Sequence, residues 1–242
     1  MKEPKITIVT VVLNAKNTIE KTIQSVINQR YLNFEYHILD GGSTDGTIEI
    51  ITKYLPQISL FKSASDKGIY DAMNKSVNDI KVGWVLFLGA DDIIYNENVL
   101  ADVAVAMNNN RTIYYGDSLF KKRGIRYDGN FSIYKLGLRN ICHQSIFYPI
   151  EVFSFFLYEE QYKLLADYAF NLKIYGSKQF QFQFIDILVS VFNDDATSAN
   201  NIDYEFEKDK LQLVKKNLGF LVFIYCKLRR GLKQFLIKRT FF

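Results

Sequence analysis

The sequence of 242 residues has little of what builds disulfide frameworks or zinc sites. Only two cysteines occur, Cys142 and Cys226, and they show no spacing typical of either. We therefore expect no disulfide framework and no zinc site. A reducing cytoplasm is the expected compartment. The first residues, Met1 to Lys5, lead directly into an apolar run, so we also expect no signal peptide.

Two common phosphate-binding loops are absent as well. No Gly-x-Gly-x-x-Gly follows the first apolar run, and no loop ends in Gly-Lys-Ser or Gly-Lys-Thr. This excludes the dinucleotide fingerprint and the P-loop. Bound phosphates would then be held mainly by a metal ion and scattered cations. Lys67 is one candidate, because its turn precedes a helix N-terminus, where anions are favoured. The alternative is a solvated turn lysine.

The sequence also lacks an apolar run long enough to span a bilayer, and its C-terminal region lacks acidic residues. The apolar stretch from Leu218 to Cys226 has nine residues, far short of the ~20 that span a bilayer. Residues 211–242 contain eight Lys or Arg and no Asp or Glu. Without those eight, the 30 basic residues become 22 against 26 acidic ones in residues 1–210. A mildly acidic body thus carries a basic tail, which suggests a separate partner for the tail.

The tail interleaves apolar and cationic residues up to Phe241 and Phe242. This pattern is typical of segments that lie in a membrane interface, where cations meet anionic lipids. We therefore predict peripheral binding to an anionic membrane surface. A C-terminal helix packed on the sheet, with a solvated basic face, and an oligomer contact are the alternatives.

The first half of the chain alternates strand and helix patterns. Apolar runs and helical periodicity predict strands at 6–12, 34–39, 58–61, 84–88 and 112–115, and helices at 19–27, 48–54, 69–77 and 96–107. Such alternation predicts an α/β fold with a doubly wound, mostly parallel sheet. The second half is mixed, with predicted strands at 143–148 and 180–192 (one or two), a helix at 162–175 and a polar loop at 193–200.

No internal repeat or low-complexity linker interrupts the chain. We predict one domain over 1–210, with a nucleotide-sugar half (1–116) and an acceptor half (117–210), followed by the tail at 211–242.

Polar side chains follow several of the predicted parallel strands. Asn14 comes after the first strand, Asp40 after the second, and Asp91 and Asp92 after the strand at 84–88. Ligands bind such sheets at the carboxyl edge, where these residues would gather. Adjacent carboxylates repel each other, and a hard divalent cation gives a reason to pair them. The alternative is an Asp N-cap for the next helix, with the second Asp in the loop.

Four motifs in register resemble family 2 glycosyltransferases. They are Val9 to Asn14, Asp40-Gly-Gly-Ser-Thr-Asp-Gly-Thr, Asp66-Lys-Gly-Ile-Tyr-Asp-Ala-Met-Asn and Leu88-Gly-Ala-Asp-Asp. The family contains inverting enzymes of the GT-A fold that use nucleotide-diphosphate sugars. These motifs are most similar to those of bacterial members that build colanic-acid-like capsule or lipopolysaccharide chains.

The resemblance implies roles for individual residues. Thr10, Val11 and Asn14 would lie on the nucleoside side of the donor pocket, and Asp40 would hydrogen-bond the base. Asp91 would sit near the ribose or the metal, and Asp92 would coordinate Mn²⁺ or Mg²⁺ bridging the two phosphates. Ala90 makes the acidic pair a variant of the family's Asp-x-Asp pattern, which leaves open which acid is the metal ligand.

The chemistry also needs a general base, because an acceptor hydroxyl must lose its proton as it attacks. Asp167, in Leu-Ala-Asp-Tyr, matches the position of the family's catalytic acid. The alternative is an exposed helix acid, like Glu159 and Glu160.

The pair His143-Gln144 begins an apolar run and suggests contact with the diphosphate or the acceptor, unless the histidine is structural. His37, inside a strand, is expected to be structural. The pair Asp194-Asp195 is expected to be a solvated turn.

The leading hypothesis is an inverting, metal-dependent glycosyltransferase. It would use a nucleotide-diphosphate sugar, with uridine expected on family grounds, and a glycan or lipid-linked glycan acceptor in cell-surface polysaccharide synthesis. A cytoplasmic enzyme at the inner face of the membrane fits such acceptors. A metal-dependent nucleotidyltransferase and a non-catalytic nucleotide- or sugar-binding protein are the competing hypotheses.

Overall fold

One mixed sheet organises the protein. The computed structural model describes residues 3–194 and 201–240, the last eight as backbone only. Nine strands lie in this part of the chain: β1 (Ile6–Val12), β2 (Phe34–Asp40), β3 (Leu60–Ser63), β4 (Trp84–Phe87), β5 (Ile93–Ile94), β6 (Thr112–Phe120), β7 (Ile125–Tyr127), β8 (Ile146–Pro149) and β9 (Gln181–Phe192). Their order is β3-β2-β1-β4-β8-β6-β9-β5, with β7 paired to β6.

The strands from the first half form the parallel part of the sheet. β1 pairs in parallel with both β2 and β4, and β2 pairs in parallel with β3. The second half adds β8 antiparallel to β4 and to β6, and β9 parallel to β6. The predicted α/β fold, with a parallel first half and a mixed second half, is confirmed.

Eight helices accompany these strands in the described residues. They are α1 (Ile19–Ile27), α2 (Thr47–Thr52), α3 (Ile69–Ser76), α4 (Val99–Ala106), α5 (Ile133–Leu138), α6 (Ala166–Ser177), α7 (Tyr204–Leu218) and α8 (Phe220–Thr240). Short 3₁₀ turns at Leu55–Gln57, Val77–Asp79, His143–Ser145 and Ile150–Ser154 join some of them.

The sheet is buried on both faces, which is why β1 and β4 hold only apolar residues and two buried threonines, Thr7 and Thr10. Successive side chains of a strand point to opposite faces. Ile8 accordingly packs in a cluster with Ile23 of α1 and Leu100 of α4. Its neighbour Val9 packs in the opposite cluster, which holds residues of α3, α6, α7 and α8, including Phe170.

Long-range pairing changed several predicted bounds. The predicted strand at 112–115 continues to Phe120, because β9 runs beside β6 from Gln181 to Phe192 as a single strand. The predicted helix at 96–107 begins only at Val99, because Ile93 and Ile94 pair with β9 as β5. The predicted strand at 143–148 begins at Ile146, after a 3₁₀ turn.

The predicted tail is not a separate segment. The boundary at 210 falls inside α7, whose Leu213 and Val214 are buried. α8 then packs closely on α5 at Gly137, where an added Cβ would lie 2.8 Å from both Val222 Cγ1 and Cys226 Sγ. Over residues 3–194 and 201–240, no helix is long and apolar enough to cross a bilayer. Residues 195–200 of the predicted polar loop, and Phe241 and Phe242, lie outside the described residues.

Candidate functional site

A cleft of about 990 Å³ opens where β1 and β4 end. Both halves of the chain line it, because the antiparallel addition of β8 places the second half beside β4. The cleft brings together seven of the residues singled out from the sequence: Val11, Asn14, Asp91, Asp92, His143, Gln144 and Asp167. It leaves Thr10, Asp40 and Lys67 outside its lining.

The loops after β1 and β2 hold each other in place. Asn14 has a φ of 52°, a conformation that asparagine tolerates better than most residues. Its Oδ1 accepts a hydrogen bond from the Thr44 N–H at 2.9 Å, and its own N–H donates to Ser43 Oγ at 2.8 Å. The exposed amide of Asn14 is therefore fixed at the rim of the cleft.

Asp40 organises the turn after β2. Its carboxylate is buried and accepts hydrogen bonds from the N–H groups of Gly42 and Ser43 and from the Ser63 hydroxyl. Burial alone would raise its pKa, but the hydrogen bonds from Ser43 and Ser63 outweigh burial and lower it. In this structure the Asp40 carboxylate oxygens therefore accept hydrogen bonds from the protein itself.

Thr10 and Lys67 lie away from the cleft for different reasons. Thr10 alternates with Val11 along β1, so its side chain points to the opposite face of the sheet. There it is fully buried, and its hydroxyl accepts from Tyr36 at 3.2 Å. Lys67 is exposed, and its backbone N–H donates to Asp71 Oδ2 at 2.9 Å.

The two adjacent acids converge beside Gly89. A Cβ on Gly89 would lie 2.5 Å from Asp92 Oδ2 and 3.3 Å from Asp91 Oδ1, so only glycine leaves room for this arrangement. Asp92 is 1% exposed and is not at an exposed strand end. Its Oδ2 accepts from Gln144 Nε2 at 2.9 Å, and its Oδ1 accepts from the Asn193 N–H at 2.7 Å.

Burial dominates the electrostatics of this pair. It raises the pKa of Asp92 to about 6, and the neighbouring Asp91 carboxylate adds to the effect. The hydrogen bond from Asn193, the nearby His143 and the hydrogen bond from Gln144 limit the rise. A cation between the acids would relieve the repulsion, since an opposite charge favours the ionised form.

The donor set fits a hard divalent cation. Two carboxylates lie beside Gly89, and Mg²⁺ is commonly held by one or two carboxylates together with substrate phosphates. Within residues 3–194 and 201–240, no group of three or more His, Cys, Asp or Glu is arranged to hold a metal ion. Asp91 and Asp92 would therefore hold the cation jointly with substrate oxygens and water.

Asp167 lies on the other side of the cleft, in the first turn of α6. It is 6% exposed, in contrast to the predicted alternative of a solvated helix acid. Its Oδ2 accepts from Asn140 Nδ2 at 2.7 Å, and the Tyr70 hydroxyl lies 3.1 Å from Oδ1. Three elements thus aim this carboxylate into the cleft.

The pair His143-Gln144 connects the two acidic centres. His143 Nδ1 lies 3.4 Å from Asp167 Oδ2, while Gln144 donates to Asp92. Both residues lie in the 3₁₀ turn that replaces the predicted start of β8. Gln144 is buried, and its Oε1 accepts from Cys142 Sγ at 3.0 Å.

Three contributors were not identified from the sequence: Tyr70, Asn140 and Asn193. Tyr70 lies within a quoted motif. Asn193 follows the apolar run of β9 and donates its side-chain amide to Asp91 Oδ2 at 3.0 Å; the rule applied to Asp91, a polar residue after a buried strand, could have found it. No signal in the sequence distinguished Asn140.

Two minor expectations have different outcomes. Asp194 is buried, and it accepts from the Lys122 N–H and from Arg123 Nε at 2.8 Å, so the expectation of a solvated turn was wrong for it. Asp195 lies outside the described residues. His37 is 4% exposed within β2, as expected of a structural histidine.

Comparisons with known proteins agree with this architecture. The family model described as "Glycosyl transferase family 2" matches residues 7–163. A relative from Mycobacterium tuberculosis, named "PGL/p-HBAD biosynthesis glycosyltransferase", is 29% identical, and the alignment covers 99% of this chain and 97% of the relative.

Two solved structures have the same fold. Staphylococcus aureus TarS (residues 1–349), solved with UDP-GlcNAc, gives a TM-score of 0.68 at 17% identity over 87% of this chain and 65% of that one. The mannosyltransferase PcManGT from Pyrobaculum calidifontis, solved with GDP-Man and Mn²⁺, gives 0.66 at 15% identity over 90% of this chain and 64% of that one. This chain thus spans slightly less than two thirds of either solved chain.

Proposed function

This chain belongs to glycosyl transferase family 2, and from that premise we propose that it is an inverting, metal-dependent glycosyltransferase. The family match covers Asp40 and the pair Asp91-Asp92, and it ends at residue 163. The observation that carries the proposal is the cleft, in which Asp91 and Asp92 face Asp167 with His143 and Gln144 between them.

The two acidic centres suit the two ends of a single displacement. Asp167 would accept the proton of an acceptor hydroxyl as its oxygen attacks the anomeric carbon. The bond from that carbon to the diphosphate breaks at the same time, and attack from the opposite side inverts the configuration. A bound Mn²⁺ or Mg²⁺ supplies charge stabilisation for the departing diphosphate.

The surroundings of Asp167 fit the role of a base. Its hydrogen-bond partners from Asn140 and Tyr70 hold the carboxylate in one orientation, which is what an efficient proton transfer needs. His143, whose Nδ1 lies 3.4 Å from Asp167 Oδ2, would contact the diphosphate or the acceptor.

The two halves would divide the work. Residues 1–116, with Val11, Asn14 and Asp91, would bind the nucleotide sugar, and residues 117–210 would bind the acceptor. Two proteins with this fold have been solved in complex with UDP-GlcNAc and with GDP-Man. We take UDP as the nucleotide and a glycan or lipid-linked glycan of cell-surface polysaccharide synthesis as the acceptor.

Family membership speaks against the two competing hypotheses. A nucleotidyltransferase would belong to a different family. A non-catalytic binding protein would not need a buried and oriented acid at the position of Asp167, whose partners come from two other elements.

The basic C-terminal region fits a membrane surface. Besides Phe220 at its start, the exposed apolar side chains described in α8 recur at spacings of four, three and four residues, which places them on one stripe: Leu221, Tyr225, Leu228 and Leu232. Lys227 and Arg229 are exposed beside this stripe. An apolar stripe flanked by cations matches an anionic lipid surface, and it would hold the enzyme at the inner face of the membrane.

The function is tested by incubating the purified protein with UDP-sugars and measuring UDP release. We expect slow hydrolysis with Mn²⁺ or Mg²⁺, none in EDTA, and faster release when a suitable acceptor is added. Thermal-shift screening against nucleotide diphosphates and their sugars, with Mn²⁺, identifies the nucleotide. Metal-independent release, or none with any nucleotide sugar, would contradict the proposal.

A further inference from the structure

Three aromatic residues form one wall of the cleft in the second half of the chain. Phe120 ends β6, Tyr127 ends β7 and Phe192 ends β9, and all three line the cleft. The rings of Phe120 and Tyr127 are stacked, with centroids 4.6 Å apart, and those of Phe120 and Phe192 are 5.0 Å apart. We refer to these three rings as the aromatic wall.

The wall is rigidly mounted. Phe120 is only 7% exposed, and the Arg123 guanidinium lies 4.4 Å from its ring centroid. Asp194 fixes that arginine and also accepts from the Lys122 N–H, so the turn between β6 and β7 is tied to the end of β9. The buried ring of Phe120 therefore packs behind the other two rings. The partly exposed rings of Tyr127 and Phe192 form the surface that faces the cleft.

The wall adjoins both acidic centres. The Tyr127 hydroxyl donates to the Asn140 carbonyl at 2.8 Å, and the Asn140 side chain donates to Asp167. On the other side, Phe192 immediately precedes Asn193, which donates to both Asp91 and Asp92. A molecule lying against the wall would therefore have Asn140 between it and Asp167, the proposed base. On the other side, Asn193 would lie between it and the proposed diphosphate site at Asp91 and Asp92.

That position is where the acceptor has to be. The attacking hydroxyl must reach Asp167 and the anomeric carbon at once, so the rest of the acceptor lies beside them. Neither Phe192 nor Tyr127 takes part in the proton transfer or in the metal site. Flat aromatic surface with a few convergent polar groups is typical of small-molecule sites.

We propose that the aromatic wall is an acceptor subsite that binds a pyranose ring by its apolar C–H face, with Phe192 as the principal contact. The wall supplies the apolar surface. Asn140 and His143, which also line the cleft, supply hydrogen-bonding groups for ring hydroxyls. This inference rests on the proposed function and adds where the acceptor sugar binds, with the reactive hydroxyl on the ring that the wall holds.

The test measures binding directly, by saturation-transfer NMR with methyl glycosides of glucose, galactose, mannose and N-acetylglucosamine, in the presence of UDP and Mn²⁺. We expect at least one glycoside to bind. Phe192→Leu keeps an apolar side chain but removes the flat ring, and it should weaken that binding by about fivefold or more. Phe192→Tyr keeps the ring and should retain the binding.

Phe155→Leu serves as the matched control, because Phe155 is 54% exposed and does not line the cleft. It should leave glycoside binding unchanged. The proposal is overturned if no glycoside binds, if Phe192→Leu binds as well as the wild type, or if phenol binds where the glycosides do not, which would indicate an aryl acceptor. Failure of the proposed function itself would appear separately, as absence of metal-dependent hydrolysis of UDP-sugars by the wild type.

Discussion

The Asn193 N–H donates a hydrogen bond of 2.7 Å to Asp92 Oδ1, across 101 residues of sequence. The bond joins the end of β9 to the loop after β4. Together with the bond from Gln144, it orients a carboxylate that is almost completely removed from water. Burial raises the pKa of Asp92, so a nearby cation would stabilise its ionised form.

Asp92→Asn should abolish metal-dependent nucleotide binding while the fold is retained. The amide cannot supply the negative charge that a divalent cation needs, but it fills the same volume. Isothermal calorimetry of UDP in the presence of Mn²⁺ measures the loss. Asp91→Asn is the comparison, because it reveals which acid dominates. Unchanged affinity for UDP with Mn²⁺ in Asp92→Asn would show that the cation binds elsewhere.

The metal-free protein should lose stability as the pH rises through about 6. The folded-state pKa of Asp92, about 6, lies above the ordinary value of 3.8, so the proton is bound more tightly in the folded state. Its stabilising contribution is complete below pH 3.8 and is lost as the pH rises through the folded pKa. The loss amounts to about 3 kcal/mol.

Chemical denaturation in EDTA between pH 4 and pH 7.5 measures this loss as a difference between the wild type and Asp92→Asn, because the substitution removes the titrating carboxyl and leaves the acids remote from it unchanged. At pH 7, added Mn²⁺ should raise the melting temperature of the wild type and leave that of Asp92→Asn unchanged. Parallel pH profiles of the two proteins would contradict the assigned shift.

Asp167→Asn should leave UDP binding intact and reduce sugar transfer by roughly a hundredfold or more, the usual size of a general-base contribution. Glu159→Gln is the matched control: Glu159 lies before the same helix, but it pairs with Lys173. Its turnover should stay near that of the wild type. A variant lacking the Asp167 carboxylate that still transfers sugar at the normal rate would place the base elsewhere.

Asn140→Ala tests whether Asn140 positions Asp167. Asn140 is itself held, since its Oδ1 accepts from Asn171 Nδ2, and Asn171 accepts from the Tyr148 hydroxyl. Without the amide, kcat should fall by about tenfold or more through misplacement of the base, while KM for the donor changes little. A loss of stability with normal kcat would indicate a structural role alone.

Membrane binding should depend on the exposed stripe of α8. Truncation after Asn217 is a poor test, because it would also remove the buried Val222 and Cys226. Replacing Leu221, Leu228 and Leu232 with serine leaves those contacts intact. It should abolish salt-sensitive co-sedimentation with vesicles that contain phosphatidylglycerol.

Leu32→Ser is the control for the loss of a surface leucine, because Leu32 is 89% exposed and lies in the loop between α1 and β2. Equal pelleting of the wild type and the triple variant would refute the proposal. If the wild type does not bind vesicles and sediments as a dimer, whereas the triple variant is a monomer, the stripe is a contact between two copies of the chain.

The sequence alone determined the parallel half of the sheet and the location of the cleft. Continuous apolar runs and helical periodicity are local properties, and they record which segments are buried and how they alternate. Alternation then brings the ends of β1, β2 and β4 to the same edge, so the sequence sufficed to place Asn14 and the acidic pair in one cleft.

Only the tertiary structure decided how the gathered residues are used. Thr10 points into the core and Val11 toward the cleft, because their sides depend on which elements cover each face. Asp92 is buried by Gln144 and Asn193, and Asp167 is held by Asn140. Those partners became neighbours through the strand order β4-β8-β6-β9. Strand order depends on pairings between segments far apart in the chain, which no local pattern of apolar and polar residues encodes.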